Sequence, residues 1–292
     1  FFTLNYRFDE QTVLWTEIQN TGHSIIFILL SFLLAQCFRL WGVAGVGRQV
    51  LYALLLCIFL SLVTEFAQQF TQRDGNIYDF IRDIAGTAIG LCIYFLIQSS
   101  TLHSRWFAHT IMFSLIVLML SAALWPLSIN AWHTWQRNQS FPVLFDFEKG
   151  WHETYIDVNN AKLEIRTEEA SDIPFAFVEI GEGAYPGLRF HEPFEDWRGF
   201  AFLRLEIESL ETEPFDMTIR IHDDLHNNEF DDRFNQKLFV VSGMNSYKIS
   251  LNRVHLGPAG RTMNMSEIKN VNLFTVRPSK PIRFKLHKFE LQ

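Results

Sequence analysis

Four long apolar runs in the N-terminal half constrain this chain more than any other feature. The runs are Ser24–Phe38, Val50–Phe66, Ile77–Ile97 and Phe107–Leu127. A membrane-spanning helix needs about 20 consecutive apolar residues, whereas an amphipathic helix of a soluble protein has a polar residue at every third or fourth position. The first and fourth runs have almost no such polar positions. The sequence therefore predicts an α-helical polytopic membrane bundle with four spans in residues 1–135.

Charge is divided unevenly between the two halves. Residues 1–139 contain 7 acidic and 7 basic side chains, whereas residues 140–292 contain 25 acidic and 18 basic ones, and so the whole net charge of −7. This asymmetry predicts two domains in different solvents, joined by a polar linker at 136–140. An acidic chain without a basic patch is not typical of a nucleic-acid-binding protein, so we expect no nucleic-acid partner.

The loops between the apolar runs predict how the chain is oriented. Two loops on the same side, 39–49 and 98–106, contain arginines but no acidic residue. Lys and Arg are enriched in cytoplasmic loops. We therefore expect a bacterial inner-membrane protein whose residues 141–292 lie outside the cytoplasm. A further span before the first residue would fit this orientation.

Polar side chains at the ends of the runs form three groups, which the alternating topology brings to one membrane face. The groups are His23 at the start of the first run, Glu65 and Gln68 at the end of the second, and Arg73, Asp79 and Asp83 around the start of the third. An ionisable group at membrane depth is costly, so it is a functional candidate by default. We expect these six side chains to line one polar cavity. An interfacial salt-bridge network is the alternative.

These residues resemble the VanZ-like membrane family over residues 20–96. The matching positions are His23, Glu65-Phe-Ala-Gln68, Phe70, Arg73, Asn76, Asp79, Asp83, Gly86 and Gly90. The family usually has Asp-Lys before the histidine and Asn at the position of Asp83. The resemblance implies a cell-envelope membrane protein and no general reaction. Gly86 and Gly90, four residues apart, also predict close packing of the third helix on a neighbour.

The second half, residues 141–292, has the pattern of an antiparallel β-sandwich or jelly roll. Short runs of alternating residues recur at Ala161–Thr167, Phe175–Ile180, Phe202–Ile207, Met217–Ile221, Lys237–Val241, Asn272–Val276 and Arg283–Leu291. Alternation with period 2, interrupted by turn residues about every 8–12 positions, favours this all-β class. The opening 145–148 and the ending 271–291 resemble galactose-binding-like, carbohydrate-binding jelly rolls.

The most polar segment of this half, Arg220–Asn235, contains candidate ligand-binding side chains. They are His222, Asp223, His226, Asn227 and Arg233, with Tyr185 and Trp197 as aromatic platforms for a sugar ring. Such groups make the directed hydrogen bonds that sugar hydroxyls need. Two alternatives stay open, because carboxylates at Asp223, Asp231 and Asp232 suit calcium and the segment is also typical of a solvated connection between strands.

The sequence contains no catalytic motif such as Gly-x-Ser-x-Gly or His-Glu-x-x-His. Besides a purely structural partner of an envelope polysaccharide machine, two functions with an active site are compatible with these features. In the first, the bundle anchors a sandwich that recognises a glycan or glycolipid head group. In the second, a membrane-embedded enzyme or transporter uses His23 and Glu65 as acid–base groups on a lipid-linked envelope substrate. The expected partners are membrane lipid, an envelope polysaccharide or lipid-linked glycan, and envelope-assembly proteins. No cofactor is evident apart from calcium.

Overall fold

The computed structural model describes residues 12–68, 77–99, 106–145, 147–148, 150–168 and 172–292. The chain divides between Ala131 and Trp132 into two compact units. The first unit is helical, and the second consists mainly of β-strands.

The described residues of the N-terminal half form four long helices. They are α1 (Val13–Leu40), α2 (Val46–Gln68), α3 (Ile77–Ser99) and α4 (Trp106–Ser140). Each is long and apolar enough to cross a membrane, and the four predicted apolar helices are confirmed. The hydroxyl of Thr12 accepts a hydrogen bond from the Trp15 amide at 3.2 Å and so caps the start of α1.

The start of α1 differs from the expectation. The helix begins at Val13, so His23 lies about three turns inside it rather than at its first residue. The segment before His23 has apolar residues such as Leu14 and Ile18 at helical spacing, but Thr, Glu, Gln and Asn side chains lie between them. A search for continuous apolar runs misses such an amphipathic extension.

Small residues bring α1 and α3 close together. A Cβ atom at Gly86 would lie 2.3 Å from the backbone oxygen of Ser24, and a Cβ atom at Gly90 would lie 2.2 Å from that of Ile28. The buried α1 residues include Ser24, Ser31 and Ala35, whose side chains are also small. The close packing predicted from the two glycines is confirmed.

Burial differs strongly between α3 and α4. In α3, 39% of the apolar window is buried, against 6% in α4. The central, tightly packed position predicted for the third span is confirmed. Exposed apolar side chains on α4, such as Phe113 and Leu118, present the kind of surface that faces lipid in a membrane.

Within the described part of residues 141–292, ten strands form two five-stranded antiparallel sheets, as predicted for this half. The strands are β1 (Ile156–Asn159), β2 (Ala161–Thr167), β3 (Pro174–Ile180), β4 (Gly187–His191), β5 (Phe202–Ser209), β6 (Phe215–Asp223), β7 (Phe234–Val240), β8 (Gly243–Ser250), β9 (Ile268–Phe274) and β10 (Ile282–Leu291). The first sheet has the order β1-β4-β9-β6-β7 and the second has β2-β3-β10-β5-β8. A short helix, α5 (Leu251–His255), follows β8.

The core of the second unit consists of apolar side chains from alternating strand positions. On β5, Leu203, Leu205 and Ile207 are fully buried, and so are Met217 and Ile219 on β6. The rings of Phe145, Phe190 and Phe289 pack together with centroids 4.4–5.6 Å apart. Because one face of each sheet is buried in this way, the other face is left for polar side chains.

The last turns of α4, from Trp132 onward, belong to the second unit. Thr134 and Tyr155 are joined through their hydroxyls at 2.8 Å, and the Arg137 guanidinium lies 4.4 Å from the centre of the Tyr155 ring. Arg137 also donates to the Glu192 carboxylate at 3.1 Å. The segment expected as a polar linker, 136–140, is therefore helical and lies within this contact region.

Candidate functional site

In the first unit, the carboxylate of Asp83 is the most deeply buried ionisable group of the predicted cluster, with 1% of its side chain exposed. Its Oδ2 accepts a hydrogen bond from the Ser61 hydroxyl at 2.7 Å, and its Oδ1 lies 3.4 Å from His23 Nδ1. Oδ1 is buried and has no hydrogen-bond partner among the described residues. The arrangement joins α1, α2 and α3 through a carboxylate that is only partly satisfied.

Asp79, one turn before Asp83, is part of a second set of contacts. Its carboxylate accepts from Arg82 Nη1 at 2.9 Å, and Arg82 Nη2 lies 3.7 Å from Glu17 Oε2 on α1. The Ser24 hydroxyl donates to the Arg82 carbonyl at 3.2 Å. These contacts match the interfacial salt-bridge network given above as the alternative to a polar cavity.

Of the other members of the predicted cluster, only Glu65 has a described side chain. Glu65 is half-buried and lies one turn after Ser61 on α2, so the two residues share a helix face. Gln68 is the last residue of α2, and its side chain is outside the described part of the chain. Arg73 also lies outside the described residues. The single cavity expected for the six residues therefore stays a prediction.

In the second unit, the Arg261 guanidinium bridges two carboxylates of the polar segment. Arg261 Nη1 and Nη2 donate to Asp223 at 2.6 and 2.7 Å, while Nε donates to Asp232 at 2.6 Å. The Asn264 amide adds a hydrogen bond to Asp223 at 2.6 Å. Asp223 is thus fully buried and fully satisfied, which is the arrangement expected of a structural ion pair.

This Arg261 bridge shifts the pKa values of its members. Hydrogen bonds from Arg261 lower the pKa of Asp232 to about 2. Although burial opposes the shift, the Arg261 and Asn264 hydrogen bonds also lower the pKa of Asp223, and the two carboxylates raise the pKa of Arg261. All three groups are therefore charged at neutral pH.

Other polar atoms of the segment are also used within the protein. His226 Nδ1 lies 2.8 Å from the Asp232 carbonyl, and the Asn227 amide donates to the Asp232 carboxylate at 2.9 Å. Asn228 has a positive φ of 71°, a turn conformation that Asn tolerates well. These contacts are what the solvated-connection interpretation expects of His226 and Asn227.

The structure does not support calcium at Asp223, Asp231 and Asp232. Arg261 occupies the position between Asp223 and Asp232 where a cation would have to bind. Across the ranges that the structure describes, no group of three His, Cys, Asp or Glu side chains is arranged to bind a metal ion. The positive charge that these acids require is supplied by a side chain.

The two predicted aromatic platforms differ in exposure. Trp197 is 1% exposed, and its Nε1 donates to the Pro193 carbonyl at 2.9 Å, so its proposed role as a stacking platform is wrong. The indole is a core residue of the sandwich. Tyr185, in contrast, is 57% exposed and packs edge-on against Phe274.

Tyr185 borders a groove on the outer face of the first sheet. The groove has a volume of about 660 Å³, and its lining includes residues of β1, β4, β6 and β9. Cross-strand register places five polar residues in one row across the sheet: Asp157, Arg189, Asn272, Arg220 and Asn235. None of the five was among the candidate site residues predicted from the sequence, although Arg220 and Asn235 bound the polar segment named there.

Several polar atoms on this face are buried and lack a hydrogen-bond partner in the described part of the chain. They include Arg220 Nε, Asn272 Oδ1, Arg233 Nε and Asn270 Oδ1, and Asn270 is only 6% exposed. His222, in register with Asn270, is 7% exposed, and burial lowers its pKa to about 4, so it is neutral at physiological pH. Unsatisfied buried polar groups are uncommon and mark positions where a ligand or water binds.

The residue types at alternate positions of β6 and β9 could have indicated this polar face from the sequence. The sequences Thr218-Ile-Arg-Ile-His222 and Asn270-Val-Asn-Leu-Phe274 place Arg, His and Asn at every second position. Solvated sheet faces are more often occupied by Lys, Glu and Thr. Planar side chains with several hydrogen-bonding atoms on adjacent strands indicate recognition.

Comparison with known families identifies the N-terminal part. Residues 1–98 match the VanZ/LLP1 family model, so this part of the chain is a VanZ-like domain, as the resemblance implied. No curated protein matches the chain. The same N-terminal half contains the four helices that are long and apolar enough to cross a membrane, which is what a membrane protein of this family requires.

The second half is similar in structure to several carbohydrate-active proteins. An exo-beta-agarase covers 51% of this chain at 19% identity with a TM-score of 0.41. The family 11 carbohydrate-binding module from Clostridium thermocellum, in complex with a beta-1,3-1,4-mixed-linked tetrasaccharide, covers 50% at 14% identity with a TM-score of 0.39. The CBM22-1 xylan-binding domain of Paenibacillus barcinonensis Xyn10C covers 51% at 12% identity with a TM-score of 0.37.

The extent of these matches differs. This chain covers 92% and 93% of the two binding modules but only about a quarter of the agarases, at 24% for the exo-beta-agarase and 26% for AgWH50C. Scores below 0.5 carry no argument about ligand or activity. The groove itself is therefore the feature of the sandwich that indicates a function.

Proposed function

We propose that this protein is a membrane-anchored recognition protein whose sandwich binds a glycan or glycolipid head group in the groove of the first sheet. The observation that carries the proposal is the row of polar side chains with buried, unpartnered atoms. Sugar hydroxyls donate and accept hydrogen bonds, so they would satisfy both Arg220 Nε and Asn272 Oδ1. The exposed ring of Tyr185 offers the apolar surface on which a pyranose stacks.

The acidic residues of the groove favour binding over hydrolysis. Glycosidases use a pair of carboxyl groups on either side of the scissile bond. Asp157 is the one carboxylate in the described lining of the groove, and its Oδ2 pairs with His191 Nε2 at 2.5 Å. A single, paired carboxylate suits a binding module.

A glycan array probed with the detergent-solubilised full chain tests this function. We expect binding to a subset of bacterial envelope saccharides, with affinity reduced about 5–30-fold by Tyr185→Ala or Asn272→Ala, because each removes a contact of about 1–2 kcal/mol. Met244→Ala, at an exposed apolar position on β8 of the other sheet, is the matched control. An array without hits, or hits equally reduced by the control, would contradict the proposal.

The proposed ligand requires the sandwich to lie outside the cytoplasm, as the arginine-containing loops 39–49 and 98–106 favour. Asn228 is exposed at a turn, so a cysteine there is accessible. In a background without the three native cysteines, Asn228→Cys should react with a membrane-impermeant thiol reagent in spheroplasts. Labelling only after lysis would show the opposite orientation.

The buried carboxylate of Asp83 favours a second candidate function in the helical unit. A partly satisfied carboxylate 3.4 Å from an imidazole is suited to binding a proton or to acid–base chemistry. The VanZ-like unit would then act on a lipid-linked envelope substrate, with His23 and Glu65 as acid–base groups and Asp83 orienting His23. Its partner would be the lipid-linked glycan itself.

Native mass spectrometry of the purified full chain tests this second candidate. A co-purifying lipid-linked saccharide should be lost in Asp83→Asn and Glu65→Gln. Thr64→Ala, a neighbouring position whose hydroxyl donates to the Ser61 carbonyl of its own helix, is the control and should retain it. Retention in all three variants would exclude this role for the buried acids.

A further inference from the structure

We infer that the saccharide bound in the groove is anionic, and that its carboxylate or phosphate is held by Arg189 and Arg220. The inference rests on the binding function proposed above and specifies its ligand class. It goes beyond that function because sugar recognition by amides and aromatic rings requires no charge. Arg189 and Arg220 line the groove, and Arg233 lies close enough to add to the positive charge around Arg220.

Register places two of the arginines on either side of the same residue. Arg189 on β4 and Arg220 on β6 both pair with Asn272 on β9, so they lie in one row on the outer face of the sheet. Neighbouring strands are about 4.8 Å apart, which separates the two Cα atoms by about 10 Å. This spacing lets both long side chains converge on one anionic group above Asn272.

None of the three guanidinium groups pairs with a carboxylate in the described portion of the protein. The nearest acidic neighbour by register, Asp157 opposite Arg189, is instead paired with His191. In contrast, Arg261 in the same unit forms ion pairs with two acids. The groove lining therefore contains two guanidinium groups and one carboxylate, and that carboxylate pairs with a histidine rather than with either arginine.

The two buried arginine donors point to a ligand that accepts hydrogen bonds, while the buried acceptors Asn270 Oδ1 and Asn272 Oδ1 match the hydroxyl groups of the same saccharide. Arg220 Nε and Arg233 Nε are buried donors without a described acceptor, and they remain donors because guanidinium stays protonated. Arg220 lies over the Phe274 ring with its guanidinium carbon 4.8 Å from the ring centre, which holds the guanidinium group beside the groove. Carboxylate and phosphate oxygens match such donors best, since they accept two hydrogen bonds in a plane.

The electrostatics of the groove agree with this geometry. Burial and the charges of Arg233 and Arg189 lower the pKa of Arg220, with a smaller opposite effect from Tyr185. The charges of Arg189 and Arg220 also contribute to the lowered pKa of His222, mainly set by burial. An anion would relieve this mutual repulsion, whereas a neutral sugar would leave it in place.

Matched glycans that differ only in charge test the inference. The full chain in detergent is titrated with oligogalacturonate and its carboxyl-reduced galactan, and with dextran phosphate and dextran, at about 0.15 M salt. At least one anionic member should bind about tenfold or more tightly than its neutral counterpart. The preferred pair identifies the anion as carboxylate or phosphate.

Variants localise the effect to the groove. Arg189→Gln and Arg220→Gln should each weaken anionic binding about 10–100-fold, the range expected for a lost charge-assisted hydrogen bond. Arg277→Gln, which removes the same charge from an exposed position outside the groove, should have no effect. Arg220→Lys retains the charge and should keep the anionic preference, which shows that the substitution is tolerated.

The outcomes separate this inference from the binding function. Neutral glycans that bind as tightly as charged ones, with sensitivity to Tyr185→Ala but not to the arginine variants, would overturn the anionic ligand and retain the binding site. Absence of binding to every saccharide would overturn both. Anionic binding that Arg277→Gln weakens as much as Arg189→Gln would also refute the inference, because it would be non-specific. An oligothymidylate is titrated as a further anion. If it bound more tightly than any glycan, the ligand would be a nucleic acid and the inference would be overturned.

Discussion

Each unit buries one aspartate almost completely, and the two are satisfied to different degrees. Asp223 in the sandwich is bound by two nitrogens of Arg261 and by the Asn264 amide. Asp83 in the helical unit receives one hydrogen bond, from Ser61, and faces His23 at 3.4 Å. Their side chains are 0% and 1% exposed, so burial alone does not distinguish them.

The difference shows how a structural carboxylate can be told from a functional candidate. A buried charge with every lone pair satisfied is held in place and contributes to the fold, whereas one with an unsatisfied oxygen is retained at a cost. By this criterion the polar segment around Asp223 supports the sandwich. The groove of the first sheet and the Asp83 region are the places where function is expected.

Breaking the Arg261 bridge should have the largest effect. Asp223→Asn replaces the accepting carboxylate with an amide and leaves Arg261 partly unpaired, so we expect the sandwich to lose about 3–5 kcal/mol of stability. Urea unfolding of the full chain, followed by hydrogen exchange in β6 and β9, measures this loss. Glu164→Gln removes an acid from an exposed pair with Arg166 and should cost less than about 1 kcal/mol. Equal losses would mean that the Arg261 bridge is not structural.

The burial of Asp83 depends on a different device, the close approach of α1 to α3. Gly86→Ala would place its Cβ 2.3 Å from the Ser24 carbonyl and force the helices apart, at a cost of about 3 kcal/mol. Thermal unfolding of the helical unit in detergent measures the effect. Gly22→Ala, on α1 with nothing within 4 Å, is the matched control and should stabilise by up to about 1 kcal/mol.

The pH dependence of the sandwich should separate His222 from the Arg261 bridge. The pKa of His222 is about 4 in the folded protein against 6.5 ordinarily, because of burial. Between these values the unfolded chain binds a proton that the folded chain does not, so stability falls as pH decreases from about 6.5 to 4, by about 3 kcal/mol. The stabilisation from Asp232 is constant across this window. It is lost only at lower pH, as the pH falls from about 3.8 to about 2.

Stability measured across this window in wild type and in His222→Gln gives the contribution. The variant cannot bind the proton in either state, so its curve should be flatter between pH 6.5 and 4. Below pH 4 the two proteins should lose stability in parallel, since the Arg261 bridge is present in both. A wild-type curve without a slope above pH 4 would contradict the burial of a neutral imidazole.

Some of this fold was predictable because its elements have local patterns. On β5 the buried residues Leu203, Leu205 and Ile207 alternate with polar ones, so the strand is visible in the sequence. On β8 a buried position is taken by Asn245, whose amide bonds to the backbone of Val241, and this hides the alternation. β4 has only five residues, starts at Gly187 and lacks a run long enough to stand out.

The two candidate sites also differ in how far the sequence predicts them. Alternating topology brings the start of α3 and the end of α2 to one side of a bundle, so the proximity of residues near Asp83 follows from counting spans. The groove could not be found by counting. Arg189 and Asn272 become neighbours only through the pairing of β4 with β9, which depends on the core that the whole sandwich buries.

The smallest change in stability is expected for Asp83→Asn, and this variant tests most directly whether Asp83 and Asp223 have different roles. Asp83→Asn keeps the shape of the side chain and its ability to accept from Ser61, and it removes a buried charge whose second oxygen lacks a hydrogen bond. We therefore expect the melting behaviour of the helical unit to change by less than about 1 kcal/mol, in either direction, because partly satisfied buried charges add little net stability.

Comparison with Asp223→Asn makes this result informative, because both variants apply the same chemical change to an equally buried aspartate. A loss of several kcal/mol in Asp83→Asn would show that His23 and Asp83 form a stabilising ion pair and that the region is structural. A small loss, together with disappearance of the co-purifying lipid-linked saccharide, would mean that the charge is retained for binding or proton transfer rather than for folding. The two aspartates would then represent opposite uses of burial within one chain.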